Sequence, residues 1–192
     1  MRIKVALPKG RLLEKTAALL QEASWGLDGY NKELRLYHIK SAALHNLAVK
    51  VFHEKDIPIQ VAIGNYDLGI CGLDWIEELL AKYPSSALLK VKDLGFGETT
   101  LYMTASPLSP QSLEQLKASQ AHVRIASEYP NLAEAFALKN RFSRFSVFPV
   151  WGAAEAFPPE NADLALISGK TEFSNGMVLV SRMLDSSAYL IA

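Results

Sequence analysis

Short apolar runs, many of them β-branched, alternate with segments whose apolar residues recur at helical spacing along nearly the whole chain. That alternation limits the chain to an α/β architecture with mostly parallel sheets. The first unit shows the pattern. Residues 3–7 (IKVAL) read as a strand, Pro8-Lys9-Gly10-Arg11 breaks it, and Leu12, Leu13, Thr16, Ala17, Leu19, Leu20 and Ala23 then mark one face of a helix. Further strands are expected at 34–39, 47–52, 88–91, 99–105, 123–127, 146–150, 162–167, 177–181 and 188–192, with a strand running into a loop at 67–74. Helices are expected between them. One starts near Asp56, with Asp56 as cap, Pro58 early and Gly64 at its end; others cover 75–83, 113–117 behind Ser112, 132–139 behind Asn131, and 152–157.

Asp93-Leu94-Gly95-Phe96-Gly97 has two glycines two apart and no third, so it reads as a crossover between two lobes rather than a nucleotide fingerprint. The expected division is a discontinuous first lobe, 1–94 plus 176–192, and a second lobe, 95–175. Two loops then become candidates for anion binding, and the cleft between lobes is the expected site. At 8–11, a glycine with Lys9 and Arg11 stands at the carboxyl end of a strand and the start of a helix, where backbone N–H groups and cations hold an anion. At 168–171, Ser168, Gly169, Lys170 and Thr171 offer a backbone without Cβ, two hydroxyls and an ammonium, the groups a phosphate needs. This is no Walker A loop, because Leu164 stands where that motif needs a glycine. A plain polar turn is the alternative for both segments.

Composition excludes several classes. The 192 residues include 20 Lys plus Arg and 20 Asp plus Glu, so the chain has no basic surplus for a nucleic-acid surface. Cys71 is a lone cysteine, read as a small buried hydrophobe, and neither it nor the four histidines has zinc spacing. The basic start runs straight into a strand without a secretory apolar core, and no apolar run approaches a membrane span. The expectation is a cytoplasmic protein with no nucleic-acid partner, no membrane and no protein-bound metal.

Several segments in order resemble the ATP phosphoribosyltransferases that open histidine biosynthesis: ALPKGRLLEK (6–15), KDIP (55–58), DLGICGLD (67–74), DLGFG (93–97), RIASEYPNL (124–132), a GxxE at Gly152 and Glu155, SGKT (168–171) and DSSAYLIA (185–192). Any one is weak, and the ordered set is specific. The length resembles the short form of that family. The resemblance implies two lobes like a type II periplasmic binding protein. It implies attack by N1 of ATP on C1′ of phosphoribosyl pyrophosphate (PRPP), with Mg²⁺ carried on the pyrophosphate. Lys9, Gly10, Arg11, Lys32 and Asp74 would serve ATP or pyrophosphate. Ser168, Gly169, Lys170 and Thr171 would hold the 5-phosphate of PRPP, with Glu155 near its ribose; Lys9 and Glu155 are the catalytic candidates. The implied partners are further copies of the chain and a subunit resembling histidyl-tRNA synthetase that carries regulation.

The chain also departs from the family pattern. Ile167 stands where an Asp usually precedes the phosphate loop, with about three residues missing before Ser168. Either Asp163 takes over, or residues of that loop are missing, or the PRPP site is impaired. Lys32 stands where an Arg is common, His53 where Arg often precedes the Asp-Val-Pro segment, and Leu73 where Lys is frequent. Each change weakens a phosphate contact worth on the order of 1–3 kcal/mol. A catalytically silent ligand-binding or regulatory paralogue with the same two-lobed cleft is therefore the alternative reading. A solute binder of the periplasmic type is a third, and the missing secretory signal counts against it.

Overall fold

A computed structural model describes residues 2–33, 36–108, 112–118, 121–169 and 176–192. In chain order the elements are β1 (Ile3–Lys9), α1 (Leu13–Glu22), β2 (His38–Ile39), β3 (Leu47–His53), a 3-10 turn (Glu54–Asp56), α2 (Ile57–Ala62), β4 (Leu68–Gly72), α3 (Leu73–Lys82), β5 (Lys90–Asp93), β6 (Thr99–Ala105), α4 (Leu113–Ala118), β7 (His122–Ser127), α5 (Pro130–Lys139), β8 (Arg144–Pro149), a second 3-10 turn (Ala154–Ala156), β9 (Leu164–Gly169), β10 (Val178–Ser186) and β11 (Ala188–Ile191). They form two compact units, Met1–Glu98 with Ser186–Ala192, and Thr99–Asp185.

The first unit is a six-stranded sheet in the order β2-β3-β1-β4-β11-β5. Its centre is parallel, with β1 between β3 and β4. β2 on β3, and β11 on both β4 and β5, run antiparallel. The sheet is therefore mixed: parallel pairing holds at the centre, where helical crossovers join the strands, and fails where β11 returns from the far end of the chain. Alternate residues of β1 and β4 feed two separate cores, as a period of two requires. Val5, Leu7 and Ile70 pack with Leu13 and Leu20 of α1 on one face. Ala6 and Cys71 pack with Ile57 and Val61 of α2 and Ile76 of α3 on the other. Helices on both faces explain the unbroken buried run in β1, because a central strand needs apolar residues on both sides.

The second unit is a five-stranded sheet in the order β10-β6-β9-β7-β8. β7 runs parallel to β8 and β9, and β9 antiparallel to β6. Leu101, Met103, Ile125, Leu164 and Leu166 are fully buried in it. Phe136 of α5 meets Phe142 edge-on, ring centroids 6.0 Å apart.

Several local expectations change. The boundaries fall at 98/99 and 185/186 instead of 94/95 and 175/176, since β10 joins the second sheet and only β11 returns to the first. β2 shrinks to two residues, and residues 34–35 lie outside the described ones. Asp56 sits at the start of α2 without a side-chain cap bond, while Pro58 does lie in the first turn. Asn131 lies inside α5; the Ser127 hydroxyl instead accepts the Tyr129 N–H at 2.8 Å just before the helix. Ser112 behaves as expected and more. Its hydroxyl accepts the Gln115 N–H at 3.2 Å while Gln115 Oε1 accepts the Ser112 N–H at 2.8 Å, a reciprocal cap.

Candidate functional site

In the first unit, Lys9 is the last residue of β1, Gly10 follows with φ of +86°, and α1 starts three residues later. A positive φ there suits glycine, which turns the chain sharply from strand to helix. The Lys9 ammonium lies 5.1 Å from the centre of the Tyr37 ring, a cation–π contact that holds it at the strand end.

Arg11 points elsewhere. Its Nη2 lies 3.0 Å from Glu54 Oε2 and 3.4 Å from Asp74 Oδ2, and its Nη1 donates to the Gly97 carbonyl at 2.8 Å. Glu54 also accepts the Leu12 N–H at 3.2 Å through Oε1. The two carboxylates are deeply placed, with side chains 9% and 1% exposed. Burial raises the Glu54 carboxyl above its ordinary range, and the guanidinium beside it pulls the other way. Asp74 is held on its other side by Ser186, whose hydroxyl donates to Oδ1 and accepts the Asp74 N–H, both at 3.0 Å. Two glycines leave room for this cluster. A Cβ on Gly72 would strike Asp74 Oδ1 and come within 2.8 Å of Arg11 Nη2, and a Cβ on Gly97 would strike Leu12 Cδ2.

Lys32 is a surface residue paired with Glu14 of α1 at 2.8 Å, both side chains well exposed. Leu73, where a Lys is frequent, packs against the α2–α3 core. Tyr30 links the same loop to its surroundings by donating its hydroxyl to the Pro8 carbonyl at 2.6 Å, and burial raises its phenol well above the ordinary value.

In the second unit, Glu155 occupies the 3-10 turn after β8 and is half-buried. Gly152, with φ of +101°, and Ala153, with φ of +51°, make the tight entry to that turn. Ser168 and Gly169 are not turn residues. They end β9, paired with Leu101 and Thr100 of β6, and Ser168 is exposed. Lys170 and Thr171 lie outside the described residues. Ile167 is half-buried and packs with Ala154, Ala165 and Met177.

Asp163 does not replace the carboxylate expected near Ser168. It precedes β9 and grips Arg124: Oδ1 takes Nη2 at 3.0 Å, while Oδ2 takes Nε at 3.3 Å and the Arg124 N–H at 2.7 Å. It lies four steps along the chain from Ile167, about 13 Å at the usual rise per residue. Asp163 thus sits at the wrong end of its strand and is already engaged.

Neither Glu54, Gly72, Ser186 nor the Gly97 carbonyl was expected at the first site. The one available sign was the spacing of Gly72 and Asp74. Glu54 and Arg11 are 43 positions apart, and nothing in either segment points to the other.

Known proteins match nearly the whole chain. The family model described as ATP phosphoribosyltransferase matches residues 53–192. The chain is similar to the ATP phosphoribosyltransferases of Aquifex aeolicus, 32% identical over 99% of the chain and 84% of that protein, and of Thermosynechococcus vestitus, 30% identical over 99% and 88%. In fold it resembles a chain of the ATP phosphoribosyl transferase (HisG:HisZ) complex from Thermotoga maritima, with a TM-score of 0.79 at 17% identity over 99% of this chain and 87% of that one. It also resembles, at a TM-score of 0.53 and 12% identity over 100% of this chain and 65% of that one, the alkanesulfonate-binding protein SsuA from Xanthomonas axonopodis pv. citri.

Proposed function

The chain belongs to the ATP phosphoribosyltransferase family, and on that premise we propose how its residues divide the reaction that opens histidine biosynthesis. The enzyme transfers the phosphoribosyl group of PRPP to N1 of ATP. The N1 lone pair attacks C1′, the bond from C1′ to the pyrophosphate oxygen breaks, and the electron pair leaves with pyrophosphate. Such a reaction asks for little covalent help. It needs two polyanions held in line, the leaving charge neutralised and a cation-like ribose stabilised.

In this reading Lys9 and the Gly10 backbone take ATP or pyrophosphate oxygens. What supports it most is the placement of Lys9 at the carboxyl end of a parallel strand beside a positive-φ glycine, where open α/β sheets bind ligands. Arg11 and Asp74 belong to the same subsite, and Lys32 contributes a charge at its rim. Glu155 faces the ribose of PRPP and offsets its developing positive charge. Ser168 and Gly169, continued by Lys170 and Thr171, bind the 5-phosphate. Mg²⁺ arrives on PRPP and leaves on pyrophosphate, as part of the substrate.

The partner is a second kind of subunit. The Thermotoga maritima chain that this fold resembles was solved in a HisG:HisZ complex. We infer a corresponding assembly here, several copies of this chain with a subunit resembling histidyl-tRNA synthetase, in the cytoplasm. No helix among the described residues is long and apolar enough to cross a membrane.

The deciding experiment measures phosphoribosyl-ATP formed from ATP and PRPP by the chain alone and with a HisZ-type subunit. Product that depends on both substrates supports the reading. ATP binding without product in either condition would instead favour the silent ligand-binding paralogue, for which Ile167 in place of the carboxylate is the specific support.

A further inference from the structure

The head of α1 already faces an anion, and that anion comes from the chain. Glu54 leaves the end of β3 and turns its carboxylate under the loop after β1, where it takes the Leu12 N–H and one arm of Arg11. A substrate phosphate would make the same two contacts. With Asp74 on the same guanidinium nitrogen and the Gly97 carbonyl on the other, Arg11 is held by three elements at once. Withdrawing it toward a phosphate would leave two buried carboxylates facing each other with their cation gone, a strongly disfavoured outcome. The planar fork of arginine suits this multiple attachment, which a lysine could not reproduce.

We propose that Glu54 is a positioning residue: a fixed internal carboxylate that, with Asp74, anchors Arg11 and the Leu12 amide and so holds the Pro8–Arg11 loop in its substrate-ready form. Arg11 then acts through the loop, and Lys9 with Gly10 is the part of it that meets substrate. This rests on the function proposed above. It accounts for two features left unexplained by that function alone: a buried glutamate at the start of a 3-10 turn, and two glycines whose absent side chains make space for Arg11, Asp74 and Leu12.

The test is a cycle of Glu54→Gln, Arg11→Gln and the double variant in the complete enzyme, with two readouts. Arg11→Gln leaves Glu54 and Asp74 uncompensated, and the KM for ATP is expected to rise at least about tenfold with kcat changing less. Glu54→Gln alone raises that KM about fivefold, because the charge is gone and the single amide oxygen can accept only one of the two donors, the Leu12 N–H or Arg11 Nη2. The double variant is expected to lie closer to wild type than Arg11→Gln does, since removing the Glu54 charge removes part of the damage. Hydrogen exchange of the Leu12 amide should follow the same order, faster in Arg11→Gln and partly restored in the double variant.

A double variant no better than Arg11→Gln in KM, or a tighter KM in Glu54→Gln, would overturn the proposal and mark Arg11 as a direct phosphate contact. An enzyme that makes no product in any form refutes the proposed function instead. The amide exchange still decides the positioning role, because uncoupled exchange in the two single variants would refute it.

Discussion

The loop after β1 and the end of β9 both place a glycine beside polar side chains, yet they are backed differently. Behind Lys9 and Gly10 lies a charged cluster, the buried carboxylates of Glu54 and Asp74 on the part-exposed Arg11, tied in by Ser186 and the Gly97 carbonyl. Behind Ser168 lies an apolar side chain, Ile167, packed on Ala154, Ala165 and Met177. The second unit's acid, Asp163, is spent on Arg124 at the far end of the same strand. The first segment is therefore fixed by charge before any ligand arrives, while the second relies on β-pairing with β6 and on its exposed groups. Similar motif strength in sequence conceals this difference, because backing residues come from other elements.

The comparison can be broken most directly at Gly72. Gly72→Ala drives a Cβ into Asp74 and toward Arg11. It is expected to destabilise the protein by about 3 kcal/mol, through overpacking and disruption of the buried pair. Urea unfolding at constant slope checks this, and a loss below about 1 kcal/mol would mean the cluster is soft. Next in size is Lys9→Ala. It should lower kcat/KM by about tenfold or more with little change in stability, as expected for loss of one charge-assisted contact to substrate. An unchanged kcat/KM would remove Lys9 from the site.

Asp163→Asn sharpens the other half. The Arg124–Asp163 pair is about one-third exposed on each side, so solvent screens it and its loss should cost little stability. The KM for PRPP is expected to stay within about twofold of wild type. A large rise would return Asp163 to the PRPP site despite its place on the strand.

The smallest effect concerns pH. Asp93 accepts the Gly95 N–H at 2.9 Å and the Ser187 hydroxyl at 2.9 Å, and these bonds, the backbone one first, hold its carboxyl below the ordinary 3.8. A depressed folded value means the native state binds fewer protons, so this stabilisation is present above about pH 4 and lost as pH falls through the folded value. Thermal unfolding of Asp93→Asn against pH should show a shallower fall at the acid end. An identical acid limb would remove Asp93 as a contributor to the Asp93–Gly97 crossover.

Much of the fold was legible because its signals are local. The β1–α1 unit, β6 at 99–105 and the Ser112 cap follow from periodicity and capping chemistry within a few residues. The misreadings had local and distant causes alike. Asn131 looked like a cap because it precedes an apolar helix, but Pro130 already fits the first turn and Ser127 supplies the preceding bond. Ser168 and Gly169 looked like a turn by composition, and pairing with β6 made them strand.

Local signals carry the α/β class and, through the ordered set of segments, the family. Those properties are written in neighbouring residues, so a linear reading suffices. What stands behind Arg11 and behind Ser168 is set by the fold. It brought Glu54 to Arg11 across 43 positions and Ser186 to Asp74 across 112, and it set Asp163 against Arg124. A buried charge must find its counter-charge wherever the fold brings one, and no local pattern specifies that partner.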